Sequence, residues 1–134
     1  MTRAPLHVQQ ILPALEGGGV ERGTVDIANA LVRRGHHASV VSAGGRMQGE
    51  LEGAHHVTLP VGQKSPAVFA CIRRLRAVWR ASRPDIVHAR SRLPAWVVWW
   101  ALRGLAPGER PRFVTTAHGL SLIHISEPTR LWHI

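Results

Sequence analysis

The first segment of the sequence that could bind a ligand is a cluster of glycines. Gly17, Gly18 and Gly19 follow a short apolar run, and Glu21 and Arg22 come directly after them. Glycines let the backbone approach a ligand closely, and the free N–H groups at the start of a helix favour a phosphate. The loop is therefore a candidate cradle for an anion. The alternative is a tight turn that binds nothing.

Two common phosphate-binding motifs do not fit this loop. A dinucleotide-binding motif that starts at Gly17 needs a third glycine where Arg22 stands, and the second predicted strand ends in Ser42, Ala43 and Gly44 instead of an acidic residue. A P-loop that starts at Gly18 has its second glycine at Gly23, but the lysine that should stand between this glycine and Thr24 is absent. We expect neither NAD binding nor an NTPase.

Three further polar residues follow short apolar runs. Arg90 and Ser91 come after residues 86 to 88, and His118 comes after residues 113 to 116. A guanidinium group suits a phosphate or a carboxylate, and an imidazole nitrogen can hydrogen-bond a ligand hydroxyl. For the arginine the alternative is a solvated loop. Nine histidines and one cysteine, Cys71, show no metal-ligand spacing, so we expect no metal site.

The elements that position these residues alternate along the chain. Short apolar runs predict buried strands over residues 6 to 12, 38 to 42, 56 to 59, 86 to 88 and 113 to 116. Three-to-four spacing predicts helices over residues 20 to 34, 65 to 82 and 94 to 103. This alternation predicts an α/β fold with a Rossmann-like, doubly wound parallel sheet. Ligands bind beyond the carboxyl ends of such strands, where the glycine loop, Arg90 and His118 would meet.

The charge of the chain is strongly positive. The formal net charge is +9, carried by 16 arginines and one lysine, so the chain attracts anions of several kinds. Helical spacing places Arg73, Arg76, Arg80 and Arg83 on one face of the second helix. That face could lie on anionic lipid, or it could be the solvated outer side of a helix packed on the sheet.

The localisation follows from hydropathy. No apolar run approaches the roughly 20 residues that a membrane span needs, and no signal-peptide pattern starts the chain. We expect a cytoplasmic protein that can lie peripherally on the inner face of the cytoplasmic membrane.

Trp96, Trp99 and Trp100 crowd the third helix, and we predict that this stripe faces the sheet as core rather than binding a sugar.

The last 15 residues break the alternating pattern. The segment LSLIHISEPTR, residues 120 to 130, resembles the conceptual translation of a transposase sequencing adapter. We therefore expect residues 120–134 to be a non-native tail at the end of a truncated reading frame, with residues 1–119 forming an incomplete domain. The alternative is a genuine C-terminal strand or linker.

Four segments together resemble the N-terminal domain of a glycosyltransferase family 4 enzyme with the two-domain GT-B fold. They are the glycine loop from Leu15 to Arg22, the end of the first helix at residues 31 to 36, residues 83 to 91, and residues 115 to 119. The resemblance implies transfer of a sugar, with retention, from a nucleotide-sugar to a lipid-linked or cell-envelope acceptor, without a cofactor. It also implies that the glycine loop approaches the donor diphosphate and that His118 contacts the donor sugar as the catalytic residue. The substrate-binding residues expected on this basis are Gly17, Gly18, Gly19, Glu21, Arg22, Arg90 and Ser91.

The resemblance covers only part of such an enzyme. Family members bind the nucleotide mainly through a second Rossmann-like domain, which this sequence does not contain, so the chain is expected to be inactive alone. The other class of function is a stand-alone basic module that binds nucleic acid or phosphate. Its support is the charge, and the chain lacks tyrosine and has only two phenylalanines for stacking on bases. We therefore expect a transferase fragment and no nucleic-acid partner.

Overall fold

A six-stranded sheet organises the described part of the chain. The computed structural model describes residues 4–14, 19–61, 66–116 and, for the backbone, 122–125. The strands are β1 (His7–Ile11), β2 (His37–Ser42), β3 (His55–Thr58), β4 (Ile86–Ala89), β5 (Arg112–Thr116) and β6 (Leu122–Ile125). The helices are α1 (Gly19–Arg33), α2 (Ala67–Ser82) and α3 (Arg92–Arg103), with short 3-10 helices at Arg46–Glu50 and Pro107–Glu109.

The strand order confirms the predicted Rossmann-like fold. The order is β3-β2-β1-β4-β5-β6, and the first five strands in the chain pair in parallel. β6 pairs antiparallel with β5, with Leu122 opposite Thr116. This strand lies in the segment that the sequence assigns to a non-native tail, and that assignment stays a prediction. The two 3-10 helices carry no periodic apolar signal and were outside the predicted elements.

Helices cover the two faces of the sheet unequally. Successive strand residues point to opposite faces, so Val40 packs with α1 and Val41 packs with α2 and α3. The α1 side buries Leu12, Val25, Ala28, Ala38, Val40 and Met47. The α2 and α3 side buries a larger cluster that includes Ile11, Leu75, Trp79, Val87, Val98 and Phe113. This two-sided cover is what makes the sheet doubly wound.

The prediction that the tryptophans of α3 form sheet-facing core is wrong for two of them. Trp96 is 52% exposed and Trp100 is 51% exposed, whereas Trp99 is half-buried. The physical reason is that smaller side chains already fill the sheet-facing side of α3. These are Val97, Val98, Ala101 and Leu102, all buried. The two exposed tryptophans therefore lie on the outer side of the helix.

The chain changes direction between β1 and β4. After β1 it runs through α1 to β2 on one side, and after β4 it runs through α3 to β5 on the other. A crevice forms beyond the carboxyl ends of two neighbouring parallel strands whose connections diverge in this way. None of the helices in the described ranges is both long and apolar enough to cross a bilayer.

Candidate functional site

A cavity of about 650 Å³ lies beyond the carboxyl ends of β1 and β4. Leu12, Pro13 and Ala14 line it where β1 ends, and Ser91 lines it just after β4. Gly19, Val20 and Glu21 from the first turn of α1 complete the described wall. The structure thus brings together three residues that the sequence singles out, Gly19, Glu21 and Ser91. Gly17, Gly18 and His118 lie outside the described residues.

The start of α1 gives this cavity its polarity. The first N–H groups of an α-helix have no partner within the helix and carry partial positive charge, which favours an anion or an acceptor oxygen. A Cβ atom added to Gly19 would meet no atom of the described residues within 4 Å, so among these residues the space above Gly19 is open to a ligand. The Glu21 carboxylate beside it can accept hydrogen bonds from hydroxyl groups but repels a phosphate. The wall therefore offers distinct places for an anion and for a polyol.

Arg90 lies against α1 rather than in the cavity wall. Its Nε donates a 2.8 Å hydrogen bond to Oε1 of Gln10, and Nε2 of Gln10 donates to the carbonyl of Thr24 at 3.0 Å. The side chain is half-buried, which lowers the pKa of Arg90, but a guanidinium keeps its charge at neutral pH. A Cβ atom on Gly23 would lie 3.8 Å from Nη1 of Arg90. The positive charge is thus fixed beside the second turn of α1.

Arg22 does not approach the cavity. Its Nη1 donates a 2.8 Å hydrogen bond to Oε1 of Glu50 and lies 3.9 Å from Oδ1 of Asp26. The bond to Glu50 raises the pKa of Arg22. The structure therefore shows Arg22 in a surface ion pair with the 3-10 helix that follows β2, where Arg46 to Glu50 lie.

Two polar residues of the strands that lead to the cavity, Gln10 in β1 and His88 in β4, were not among the predicted site residues. Gln10 is buried in β1 and holds Arg90, as described above. His88 in β4 forms a 2.5 Å hydrogen bond between Nε2 and Oγ1 of Thr116 in β5. Burial, and secondarily the charge of Arg90, lowers the pKa of His88 to about 4. This imidazole is neutral at physiological pH. A polar residue inside an otherwise apolar strand was the signal that could have identified both.

The low pKa of His88 predicts a stability that depends on pH. Because the folded-state pKa of about 4 lies below the ordinary value of 6.5, protonation favours the unfolded chain. Neutral His88 gives its full contribution to the free energy of unfolding above pH 6.5, and this contribution is lost as the pH falls from 6.5 toward 4. Because solvent screens the partly exposed ring, we expect the free energy of unfolding to fall by on the order of 1 kcal/mol across this window.

Urea unfolding of the wild type and of His88→Gln across that window measures the effect. The variant should lose part of the slope and keep the part that comes from His7 and His56, whose pKa values are also lowered by burial. Thr116→Val is the matched control, since it removes the hydrogen-bond partner of His88 without removing the titrating group. An unchanged slope in His88→Gln would contradict the assignment.

The four arginines predicted to share a face of the second helix occupy different environments. Arg73 and Arg80 are exposed on α2. Arg76 instead donates from Nε to the carbonyl of Ala101 and from Nη2 to the carbonyl of Trp100, each at 3.0 Å. Arg83 lies one residue beyond α2 in a left-handed conformation, with φ of 47°. It lines, with Arg80, a second cavity of about 310 Å³ near the amino ends of β4 and β5.

The packing of α2 confirms one of the two interpretations of its sequence pattern. Leu75 and Trp79 are buried against the sheet, and Arg73, Arg74 and Arg80 point outward. The helix is therefore packed on the sheet with an arginine-rich outer side. Contact of that side with lipid stays a prediction. Within the ranges that the structure describes, no group of three His, Cys, Asp or Glu side chains is arranged to hold a metal ion.

Comparison with models of known protein families shows to which family the chain belongs. The model of Glycosyltransferase Family 4 matches residues 17–134. The chain belongs to glycosyltransferase family 4. This family 4 chain also resembles the crystal structure of a glycosyltransferase from Rickettsia africae ESF-5, with a TM-score of 0.72 and 31% sequence identity. The match covers 89% of this chain and 31% of that one, so the family 4 chain spans less than a third of that glycosyltransferase. No curated protein matches its sequence.

Proposed function

We propose that this family 4 chain forms one wall of the donor cleft of a retaining glycosyltransferase. The enzyme would move a sugar from a nucleotide-sugar to a lipid-linked or cell-envelope acceptor in the cytoplasm. The observation that carries the proposal is the cavity beyond β1 and β4, which the first turn of α1 lines. A site of this kind at a divergence of strand connections suits a phosphate-bearing ligand.

Each residue of the proposed wall has a chemical role. The backbone N–H groups of Gly17, Gly18 and Gly19 would stabilise the negative charge that develops on the diphosphate when its bond to the sugar breaks. Glu21 and Ser91 would hydrogen-bond hydroxyl groups of the bound substrates, since both line the cavity. His118 would hydrogen-bond a hydroxyl of the donor sugar, as the family resemblance implies.

Arg90 would act on the donor through its charge and at longer range than the residues that line the cavity. Arg90 is held by Gln10 beside α1, where its charge adds to the positive potential at the start of that helix. Arg22 is engaged by Glu50, so we assign it a role in fixing α1 to the 3-10 helix after β2 instead of a contact with the donor. A salt bridge on the surface contributes little to stability by itself, at most about 1 kcal/mol.

The opposite wall of the cleft would come from a second domain. The match to less than a third of the Rickettsia africae glycosyltransferase supports this division of the site. Stabilising a departing diphosphate requires positioned groups on both sides of the reacting bond. The chain by itself then supplies only one of the two walls of the donor cleft.

The 134-residue chain alone is therefore expected to turn over no nucleotide-sugar, whereas a protein that also carries the second domain should do so with retention. Release of nucleoside diphosphate, followed by chromatography, measures turnover, and NMR of the anomeric proton determines the configuration of the product. Turnover by the isolated chain would contradict the division of the cleft. A product of inverted configuration would contradict the retaining mechanism.

A further inference from the structure

The second cavity lies at the amino ends of β4 and β5, at the edge of the sheet opposite the cavity beyond β1 and β4. Its volume of about 310 Å³ is at the lower end of the range of roughly 300 to 1,000 Å³ that is typical of small-molecule sites. The end of α2, the turn into β4 and the segment before β5 build its wall. The charged residues that line this arginine cavity are Arg80, Arg83, Asp85, Glu109, Arg110 and Arg112.

The guanidinium groups of the arginine cavity differ in what they bind. Arg110 donates from Nε to the carbonyl of Leu105 at 3.1 Å. Arg80, Arg83 and Arg112 form no ion pair and no side-chain hydrogen bond with any residue of the described ranges. Three positively charged side chains thus meet at one cavity and keep their N–H donors available for an anion.

The two carboxylates of the cavity are held by backbone groups. Oδ2 of Asp85 accepts a 2.7 Å hydrogen bond from the N–H of His7, and Oε1 of Glu109 accepts one from the N–H of Ala106 at 3.3 Å. The second oxygen of each carboxylate can still accept a hydrogen bond from a ligand. The guanidinium groups outnumber these carboxylates and outweigh the partial negative charge at the end of α2, so the cavity stays positive.

The backbone of Arg83 is held in the left-handed region, with φ of 47° and ψ of 62°. The residue ends α2, and its N–H donates a 2.8 Å hydrogen bond to the carbonyl of Trp79. Glycine usually occupies such a helix end, because a Cβ atom disfavours this conformation. An arginine here places its side chain in the cavity at a cost in backbone strain, which indicates a use for that side chain.

We propose that the arginine cavity binds a small phosphorylated polyol, such as a hexose phosphate. The phosphate oxygens would accept charge-assisted hydrogen bonds from Arg80, Arg83 and Arg112. Asp85 and Glu109 repel a bare phosphate but accept hydrogen bonds from the hydroxyl groups of a polyol. The mixed wall therefore favours a phosphate that carries hydroxyl groups. Because the cavity lies at the other edge of the sheet from the donor cleft, the proposal does not depend on the transferase function.

A nucleotide fits the arginine cavity less well. The aromatic residue in its wall, Trp79, is only 2% exposed, and its Nε1 donates a 2.8 Å hydrogen bond to Oε1 of Gln9. The described lining residues therefore offer no exposed ring on which a base would stack. A lipid headgroup presents the same phosphate chemistry as a soluble sugar phosphate, and the experiment below separates the two sources.

Isothermal titration calorimetry of the 134-residue chain tests the proposal with glucose 6-phosphate, inorganic phosphate and glucose as probes. We expect glucose 6-phosphate to bind about tenfold more tightly than inorganic phosphate, and glucose not to bind. Arg83→Gly and Arg112→Gln should each weaken binding of glucose 6-phosphate about tenfold, since each removes a charge-assisted hydrogen bond. Arg34→Gln and Arg73→Gln are the matched controls, because they replace exposed arginines outside the cavity and should stay within about twofold of wild type.

Three further measurements separate a binding role from a structural one. Arg83→Gly relieves the left-handed backbone, so its urea midpoint should equal or exceed that of wild type although its affinity falls. Glu109→Gln removes a repulsive charge, so the preference for glucose 6-phosphate over inorganic phosphate should fall about fivefold. In ¹H–¹⁵N NMR spectra, glucose 6-phosphate should shift the indole signal of Trp79 and not that of Trp96, which lies outside the cavity.

The proposal is overturned if glucose 6-phosphate does not bind, if inorganic phosphate binds as tightly, or if the two control variants lose as much affinity. Tighter binding of AMP would assign the cavity to a nucleotide. Displacement of glucose 6-phosphate by phosphatidylglycerol vesicles would assign it to a lipid headgroup. A loss of affinity in Gly19→Val as large as that in Arg83→Gly would place the sugar phosphate in the donor cleft instead.

Discussion

Replacing Gly19 with valine in a transferase that carries both walls of the cleft is expected to lower kcat about a hundredfold. Gly19 lines the cavity at the first residue of α1, and a Cβ atom there would point into space that no described residue fills. In the enzyme that space would hold the donor diphosphate, whose approach to the backbone N–H groups the side chain would block. The rate therefore falls because the transition state loses hydrogen bonds.

The fold should tolerate the same change. Because the added Cβ meets no atom of the described part of the chain within 4 Å, and valine is at least as good in a helix as glycine, the free energy of unfolding should change by less than about 1 kcal/mol. Gly19→Ala should give an intermediate rate. Gly108→Val is the matched control, since Gly108 is equally open but lies near the amino ends of the strands. Rates close to wild type in Gly19→Val would remove the glycine loop from the donor site.

The sheet and its helices were predicted closely because each element carries its own local signal, a short apolar run for a strand and three-to-four spacing for a helix. The spacing predicts a strand over 38 to 42, and β2 is His37–Ser42; it predicts a helix ending at 82, and α2 is Ala67–Ser82. Alternation of strands and helices then fixes the parallel pairing and the edge of the sheet where ligands bind. For this reason Gly19, Glu21 and Ser91 meet at one cavity.

The details of the site depend on partners distant in sequence, and no local pattern reports them. Gln9 and Gln10 are adjacent in β1, yet Gln9 accepts a 2.8 Å hydrogen bond from the indole of Trp79 and Gln10 holds Arg90. Arg22 is taken away from the cavity by Glu50, 28 residues along the chain. A polar residue in a buried strand indicates that such a partner exists without identifying it.

The tryptophans of α3 show the same limit on a helix. Helical spacing places Trp96 and Trp100 on one side, but it does not determine whether that side faces the sheet. The decision depends on which residues fill the space above β4 and β5, and here Val98 and Ala101 fill it. The exposed aromatic side is therefore a result of competition for the core, which only the assembled packing reveals.

Gly104→Ala is expected to destabilise the fold by up to about 1 kcal/mol, although glycine to alanine at an ordinary φ usually stabilises by about 0.4 to 1 kcal/mol. Gly104 follows α3 with φ of −87°, so its backbone does not require glycine. A Cβ atom there would lie 2.0 Å from Cζ of Arg76. The guanidinium would have to leave, and the carbonyls of Trp100 and Ala101 would lose their charged donor.

A double-mutant cycle isolates this mechanism. Once Arg76→Ala has removed the guanidinium, Gly104→Ala should no longer destabilise and should become neutral or slightly stabilising. Gly108→Ala, with open space around the added Cβ, is the control for the intrinsic effect of the substitution. Urea unfolding of the four proteins gives the coupling. If Gly104→Ala costs the same with and without Arg76, the clash is with another part of the fold, and Arg76 does not fix α2 to the end of α3.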